Sequence, residues 1–162
     1  MRKIAVTASA SGSGKSTVGR AVAERLGVPY IELDALVYQS SIFPTLCELV
    51  GIEPPATVEM PSLVPLLTGA ADRLYENVFG SYRDYQRMVR TRTHKLIAYP
   101  EQRRHQLFDV ENDPWERFDL SAQPAEDDRV RALKTELQAW QRRVEDPLDV
   151  EPAFDPGTSR VT

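Results

Sequence analysis

Gly12-Ser13-Gly14-Lys15-Ser16-Thr17 is the densest run of chemistry-bearing residues in the chain. Small residues let successive backbone N–H groups wrap an anion, a lysine at this spacing reaches the β and γ phosphates of a nucleotide, and the Ser16 hydroxyl can ligate Mg²⁺. The chemistry implied is capture of ATP or GTP phosphates, with the metal held through Ser16 and the nucleotide. In the full G-x-x-x-x-G-K-[ST] pattern the first glycine falls at position 9, where Ser9 stands. A flexible Gly/Ser turn that binds nothing is the competing reading.

Such a loop needs a strand before it and a helix after it. Lys3 to Thr7 is short and β-branched, and Val18, Val22 and Leu26 recur at i, i+4 and i+8 along a helix that Gly27 and Pro29 stop. Tyr30 to Leu33 reads as a second strand, completing the first half of a parallel α/β unit whose crossover helix covers a sheet face. After Gln39 the rhythm changes. Pro44 to Val50 predicts a short helix closed by Gly51, and a Pro-rich connector follows. Strands are expected at Val78 to Tyr82, Arg87 to Thr91, His94 to Tyr99 and Gln106 to Val110. Pro124 opens a long helix whose Val130, Leu133, Leu137, Trp140 and Val144 form one apolar stripe for packing on that sheet.

The other reactive side chains are scattered. Asp109 is the best candidate for a metal-holding acid but lies in a hairpin setting that favours a turn role, and Arg90 and Arg92 alternate along a strand. His94 and His105 stand alone near strand ends and read as surface or packing residues. Asp127 and Asp128 sit where a helix start favours acids through its macrodipole. The one cysteine, Cys47, excludes an internal disulfide and a Cys-rich zinc site, and reads as a buried thiol.

A 162-residue chain that is 41% hydrophobic and 27% charged is globular in composition, about one domain in size, and neither disordered nor collagenous. Without an 18-residue apolar run or a secretory h-region, a cytoplasmic protein off the membrane is expected. The net charge of −4 gives no reason to expect nucleic acid, yet it hides an uneven distribution. Residues 83–104 carry seven basic side chains against two acids, and residues 109–128 carry eight acids against one arginine. Two segments of opposite sign are expected to attract each other on folding, with a sulfate- or phosphate-binding groove as the alternative.

The segment IAVTASASGSGKSTVGRAVAERLGVPYIELDAL resembles P-loop kinases of the adenylate and shikimate kinase type. The resemblance implies a nucleotide at Gly12 to Thr17 and places Asp34 on the acceptor side. From Ile42 onward the stretches IFPTLCELVGIEPP, SLVPLLTG, RMVRTRTHKLIAYP and HQLFDVENDPWERFDL resemble the C-terminal part of arylsulfatase-like hydrolases. In that family the first two close a large catalytic α/β domain, and the rest forms a four-stranded antiparallel subdomain crossed by a helix. Within ENDPWERFDL the turn at Asn112 to Pro114 is expected to pin the hairpin, with Leu107, Phe108, Trp115 and Leu120 as apolar anchors. The family's nucleophile is a formylglycine made in a C/S-x-P-x-R motif. Cys47 is followed by Glu48-Leu49-Val50-Gly51, and no serine has proline two and arginine four residues after it.

The expectation is therefore an α+β composite: an N-terminal βαβ P-loop fragment, then a four-stranded antiparallel sheet packed by a long C-terminal helix. Residues 1–39 form the nucleotide-binding unit, 40–148 the sulfatase-like subdomain and 149–162 a disordered tail. Neither catalytic apparatus is complete in this chimera-like order, which predicts self-association or a catalytic-domain partner. A small nucleotide-dependent kinase or ATPase with an atypical C-terminal module is the first alternative. A non-catalytic binder of sulfated or phosphorylated ligands is the second.

Overall fold

The computed structural model describes residues 5–8, 15–27, 30–33 and 36–155, and divides the chain into two compact units, Met1–Glu76 and Asn77–Thr162. In the first unit, strand β1 (Ala5–Ala8) and strand β2 (Tyr30–Leu33) pair in parallel, Ala5 opposite Tyr30 through Ala8 opposite Leu33, with helix α1 (Lys15–Leu26) between them in sequence. Val18, Val22 and Leu26, expected to cover a sheet, are 63%, 44% and 60% exposed, whereas Ala23 is buried. Two four-residue strands offer too narrow a surface to cover a full helical stripe.

The same unit continues into helix α2 (Ile42–Val50) and the single-turn helix α3 (Val64–Thr68). Gly51 ends α2 in the left-handed conformation at φ 74°, where a side chain would be strained, and its N–H caps the last turn. The Thr45 hydroxyl donates to the Ser41 carbonyl at 2.5 Å and accepts from the Leu63 N–H at 2.8 Å, tying α2 to the start of α3. Leu63 and Leu66 bury themselves among Val37, Leu67, Ala71 and Leu74. Cys47 is buried and free, as expected.

The second unit is an antiparallel meander of β3 (Val78–Tyr82), β4 (Gln86–Arg90), β5 (His94–Tyr99) and β6 (Arg104–Asp109), in that spatial order. One face sends Val89, Leu96, Ala98 and Leu107 against Leu133 and Leu137 of helix α4 (Asp127–Arg143). Full burial of each such leucine is worth about 1.5–3 kcal/mol. Val130 and Trp140 complete the predicted stripe, Trp140 stacking on Phe79 at 5.1 Å between ring centres. Val144 lies past the helix end and is 48% exposed. Acids occupy the first turn of α4, and Arg142 and Arg143 the last, as the helix dipole favours.

Two further expectations are corrected. The tail does not lose order at residue 149, because Val150 and Ala153 are each only 2% exposed within the sheet–helix core. A short 3₁₀ turn at Glu151–Phe154 lets few apolar side chains reach that core together, while residues 156–162 lie outside the described set. Trp115 is exposed, so among the predicted anchors only Leu107, Phe108 and the partly buried Leu120 pack inward. That loop is held instead by the Leu120 N–H donating to the Leu107 carbonyl and by backbone N–H groups donating to the Asp113 and Asp119 carboxylates.

Candidate functional site

Gly12, Ser13, Gly14 and Asp34 lie outside the described residues. Lys15, Ser16 and Thr17 form the first turn of α1, with their side chains also outside the described set. Asp109 plays a turn role: its Oδ1 accepts from the N–H groups of Glu111 and Asn112, and Oδ2 from the Asn112 amide at 2.8 Å. The Asn112 amide, with these backbone donors, holds the Asp109 carboxyl below its ordinary range. Arg90 is half-buried on β4, while Arg92 is solvent-exposed.

Both histidines are packing residues. His94 is buried beside the Thr93 hydroxyl, 2.9 Å from Nδ1, and burial followed by the charge of Arg129 lowers its pKa. His105 donates from Nδ1 to the Ala153 carbonyl at 2.9 Å and stacks on Phe154. Among the described residues no three His, Cys, Asp or Glu side chains gather closely enough to hold a metal ion. Nor is any helix among them long and apolar enough to cross a membrane.

The oppositely charged segments do meet. Lys95 donates to both carboxylate oxygens of Glu116 at 2.9 and 2.7 Å, and Arg92 approaches Glu111 at 3.9 Å. The loop carrying Glu116 is rigidified by its own acids. Asp113 Oδ2 accepts from the N–H groups of Arg117 and Phe118, and Asp119 Oδ1 from those of Leu107 and Ser121.

A stronger pair was not visible in the sequence. Arg87 of β4 meets Asp146, just beyond α4, in a two-pronged contact of 2.5 and 2.8 Å, with both side chains less than a tenth exposed. Arg87 Nη1 also donates to the carbonyls of Arg83 and Gln86, while Asp146 accepts from Gln141 and from the Leu148 N–H. The Arg87 hydrogen bonds hold the Asp146 carboxyl down at about 2. Its partner lies 59 residues away, beyond any local pattern. The recess beside it, lined by Gln138, Gln141, Arg142, Asp146 and Leu148, is about 290 Å³.

The tips of both hairpins, residues 83–85 between β3 and β4 and residues 100–103 between β5 and β6, lie at the same end of the sheet. Tyr99 pairs across the ladder with Arg104, whose guanidinium lies 4.9 Å from the centre of the Tyr99 ring. Tyr85 meets Tyr99 edge to face at 6.4 Å, and Gln102 donates to the Tyr85 hydroxyl. Arg83 sits 5.8 Å over Tyr82. The charge count of residues 83–104 pointed towards this region, but the convergence of its tyrosines required the strand pairing.

Two families match the chain in overlapping stretches. The family described as N-sulphoglucosamine sulphohydrolase, C-terminal, matches residues 28–143, and the shikimate kinase family matches residues 11–42. An uncharacterized protein of Haemophilus influenzae is 27% identical over 127 residues, covering 75% of this chain and 65% of that protein. A Delta 4,5-hexuronate-2-O-sulfatase of Bacteroides thetaiotaomicron is 33% identical over 102 residues, covering 57% of this chain and 21% of the enzyme. A solved 2-O GAG sulfatase superposes with TM-score 0.55 at 30% identity, covering 65% of this chain and 24% of that one. The chain thus spans under two thirds of the Haemophilus protein and about a quarter or less of the two sulfatases. With the matched region running from β2 through the whole meander to the last residue of α4, this chain belongs to the N-sulphoglucosamine sulphohydrolase C-terminal family.

Proposed function

We propose that this chain supplies the C-terminal subdomain of a sulfatase-type hydrolase and has no sulfate-ester chemistry of its own, the reactive centre coming from a catalytic α/β portion. The observation that carries this reading is the family match over residues 28–143, coincident with the meander and α4, in a sequence without a C/S-x-P-x-R segment. The purified chain should release no sulfate from 4-nitrophenyl sulfate above the blank. Sustained release that co-purifies with the chain would overturn the proposal.

Helix α2 supports the same reading. Ile42, Phe43, Leu46, Leu49 and Val50, with Ile52 just beyond, are 49–63% exposed. Together they present an apolar patch on the order of several hundred Å², at the upper end for a monomer. Its natural cover in this reading is the catalytic portion, since the sulfatase relatives extend well beyond the part matched here. Alone, the chain should self-associate through α2, and the double change Leu46→Lys, Leu49→Lys should shift it to monomer in sedimentation velocity. Wild-type chain that stays monomeric at high concentration would remove the argument from α2.

A further inference from the structure

We propose that Arg90 is the charged anchor by which the catalytic α/β portion docks on the face of the meander turned away from α4, taking an aspartate or glutamate carboxylate of that portion side-on. This rests on the reading above for the identity of the partner, and on β4 and its neighbours for the chemistry. Side chains alternate along a strand, so with Val89 packed towards α4, Met88 and Arg90 point to the opposite face. Arg90 stands across the ladder from Val78 on β3 and from Lys95 on β5. Ile97 and Phe108 cluster there with Met88, Tyr99 and Val110. Val78, Ile97 and Phe108 are 9%, 7% and 6% exposed, whereas Val89, Leu96 and Leu107 under α4 are at 0%, so the far face is the less completely covered of the two.

Arg90 is the polar group that this face leaves unfinished. Its Nε is sealed from water and donates to nothing among the described residues, while its Nη groups are not sealed in this way. A donor desolvated without a partner costs free energy that an incoming acceptor would remove. Lys95 directly opposite adds a like charge, and like charges facing each other across a ladder repel. Glu116 accepts two hydrogen bonds from Lys95, which leaves two neighbouring cations with one carboxylate. Arg87, three residues earlier and on the α4 face, shows the finished arrangement: its Nε and Nη2 donate to the two oxygens of Asp146 at 2.5 and 2.8 Å. Arg90 presents the same pair of donors without the acceptor.

A planar carboxylate fits that side-on fork, and Val78, Met88 and Ile97 around it favour an acceptor carried on an apolar surface. Such a setting belongs to a protein face buried on docking rather than to a free ion. The sulfatase relatives extend well beyond the part matched here, so their catalytic portions have the surface to supply it.

Thermal melting of the full chain is the first test. Arg90→Met keeps the apolar stem and removes both the stranded donor and the repulsion with Lys95, and should raise the midpoint by roughly 4–8 °C. Arg87→Met, which strands Asp146, should lower it. A fall with Arg90→Met would mean that Arg90 has its partner within the chain, and would overturn the proposal. Propionate, the glutamate side chain as a free ion, is the small probe. At constant ionic strength it should saturably move the Arg90 Nε–H resonance, assigned by its loss in Arg90→Met, and leave that of Arg87 in place. Propionamide should move neither. No response to propionate, or an equal response to phosphate, counts against a carboxylate seat and overturns the proposal.

The macromolecular probe is the Bacteroides Delta 4,5-hexuronate-2-O-sulfatase expressed without the region matched here, its fold checked by circular dichroism. It should bind the wild-type chain in calorimetry, Arg90→Met should weaken binding roughly tenfold, and Arg92→Gln, on the exposed turn, should leave it unchanged. Equal binding by Arg90→Met, or none by the wild type, overturns the docking role. Sulfate release by the chain alone would instead overturn the functional reading and leave the melting and propionate results standing.

Discussion

Asp146→Ala is expected to destabilise the C-terminal unit by about 3–5 kcal/mol, because it leaves the Arg87 guanidinium buried without its counter-charge. The Arg87 side chain is 5% exposed, so water cannot replace the lost partner without opening the sheet–helix junction. The substitution also releases Gln141 and the Leu148 N–H, which order the chain after α4. Urea unfolding at neutral pH checks the magnitude, and a loss below 1 kcal/mol would show that the pair is not buried in solution. The pH dependence has a defined sign. A carboxyl held at about 2 in the fold, against 3.8 when free, contributes stability that is fully present above about pH 4. That contribution fades as pH falls towards 2, and Asp146→Ala should lack this part of the acid sensitivity. Glu151, held below its ordinary range by Lys134 and then Gln138, adds a smaller acid-labile contribution that the variant retains.

Leu137→Ala should cost about 2–5 kcal/mol, the range for removing most of a leucine from a site that cannot collapse. Leu137 is fully buried, between the sheet residues Val89, Leu96 and Leu107 and the rest of α4. For a unit of this size such a loss threatens folding altogether, so thermal melting of the variant should show a large fall in midpoint or no cooperative transition. Leu46→Ala makes the informative comparison. It deletes the same atoms from a side chain that is 56% exposed on α2, and should change the melting midpoint little while reducing self-association. Equal destabilisation by both would mean that Leu46 is packed within the folded chain itself rather than exposed on α2.

Much of the second unit was readable because its signals are local. Alternation marked β3 to β6 to within two residues at each end, and the 3,4,3 spacing from Val130 to Trp140 named the α4 side chains that pack in the sheet–helix core, with only Val144 falling outside it. Asp109 and the two histidines were also assigned ordinary roles in advance, since a turn acid and a packing imidazole need only near neighbours. Two of the misreadings share a cause. Val18, Val22 and Leu26 have the spacing of a buried stripe, and Trp115 has the character of an anchor, but periodicity says only which side chains share a face. Whether another surface covers that face depends on how much surface the fold provides.

The amino-acid order by itself determined the elements other than α3, which falls in what reads as a Pro-rich connector, together with the antiparallel pairing of neighbours and the family resemblance, because each depends on residues a few positions apart. Only the tertiary structure decided that Arg87 meets Asp146, that Val150 and Ala153 join the core, and that the tyrosines and arginines of two hairpins share one end of the sheet. Those are contacts between segments distant in sequence. Chain closure and strand register, rather than local propensity, select which distant groups meet.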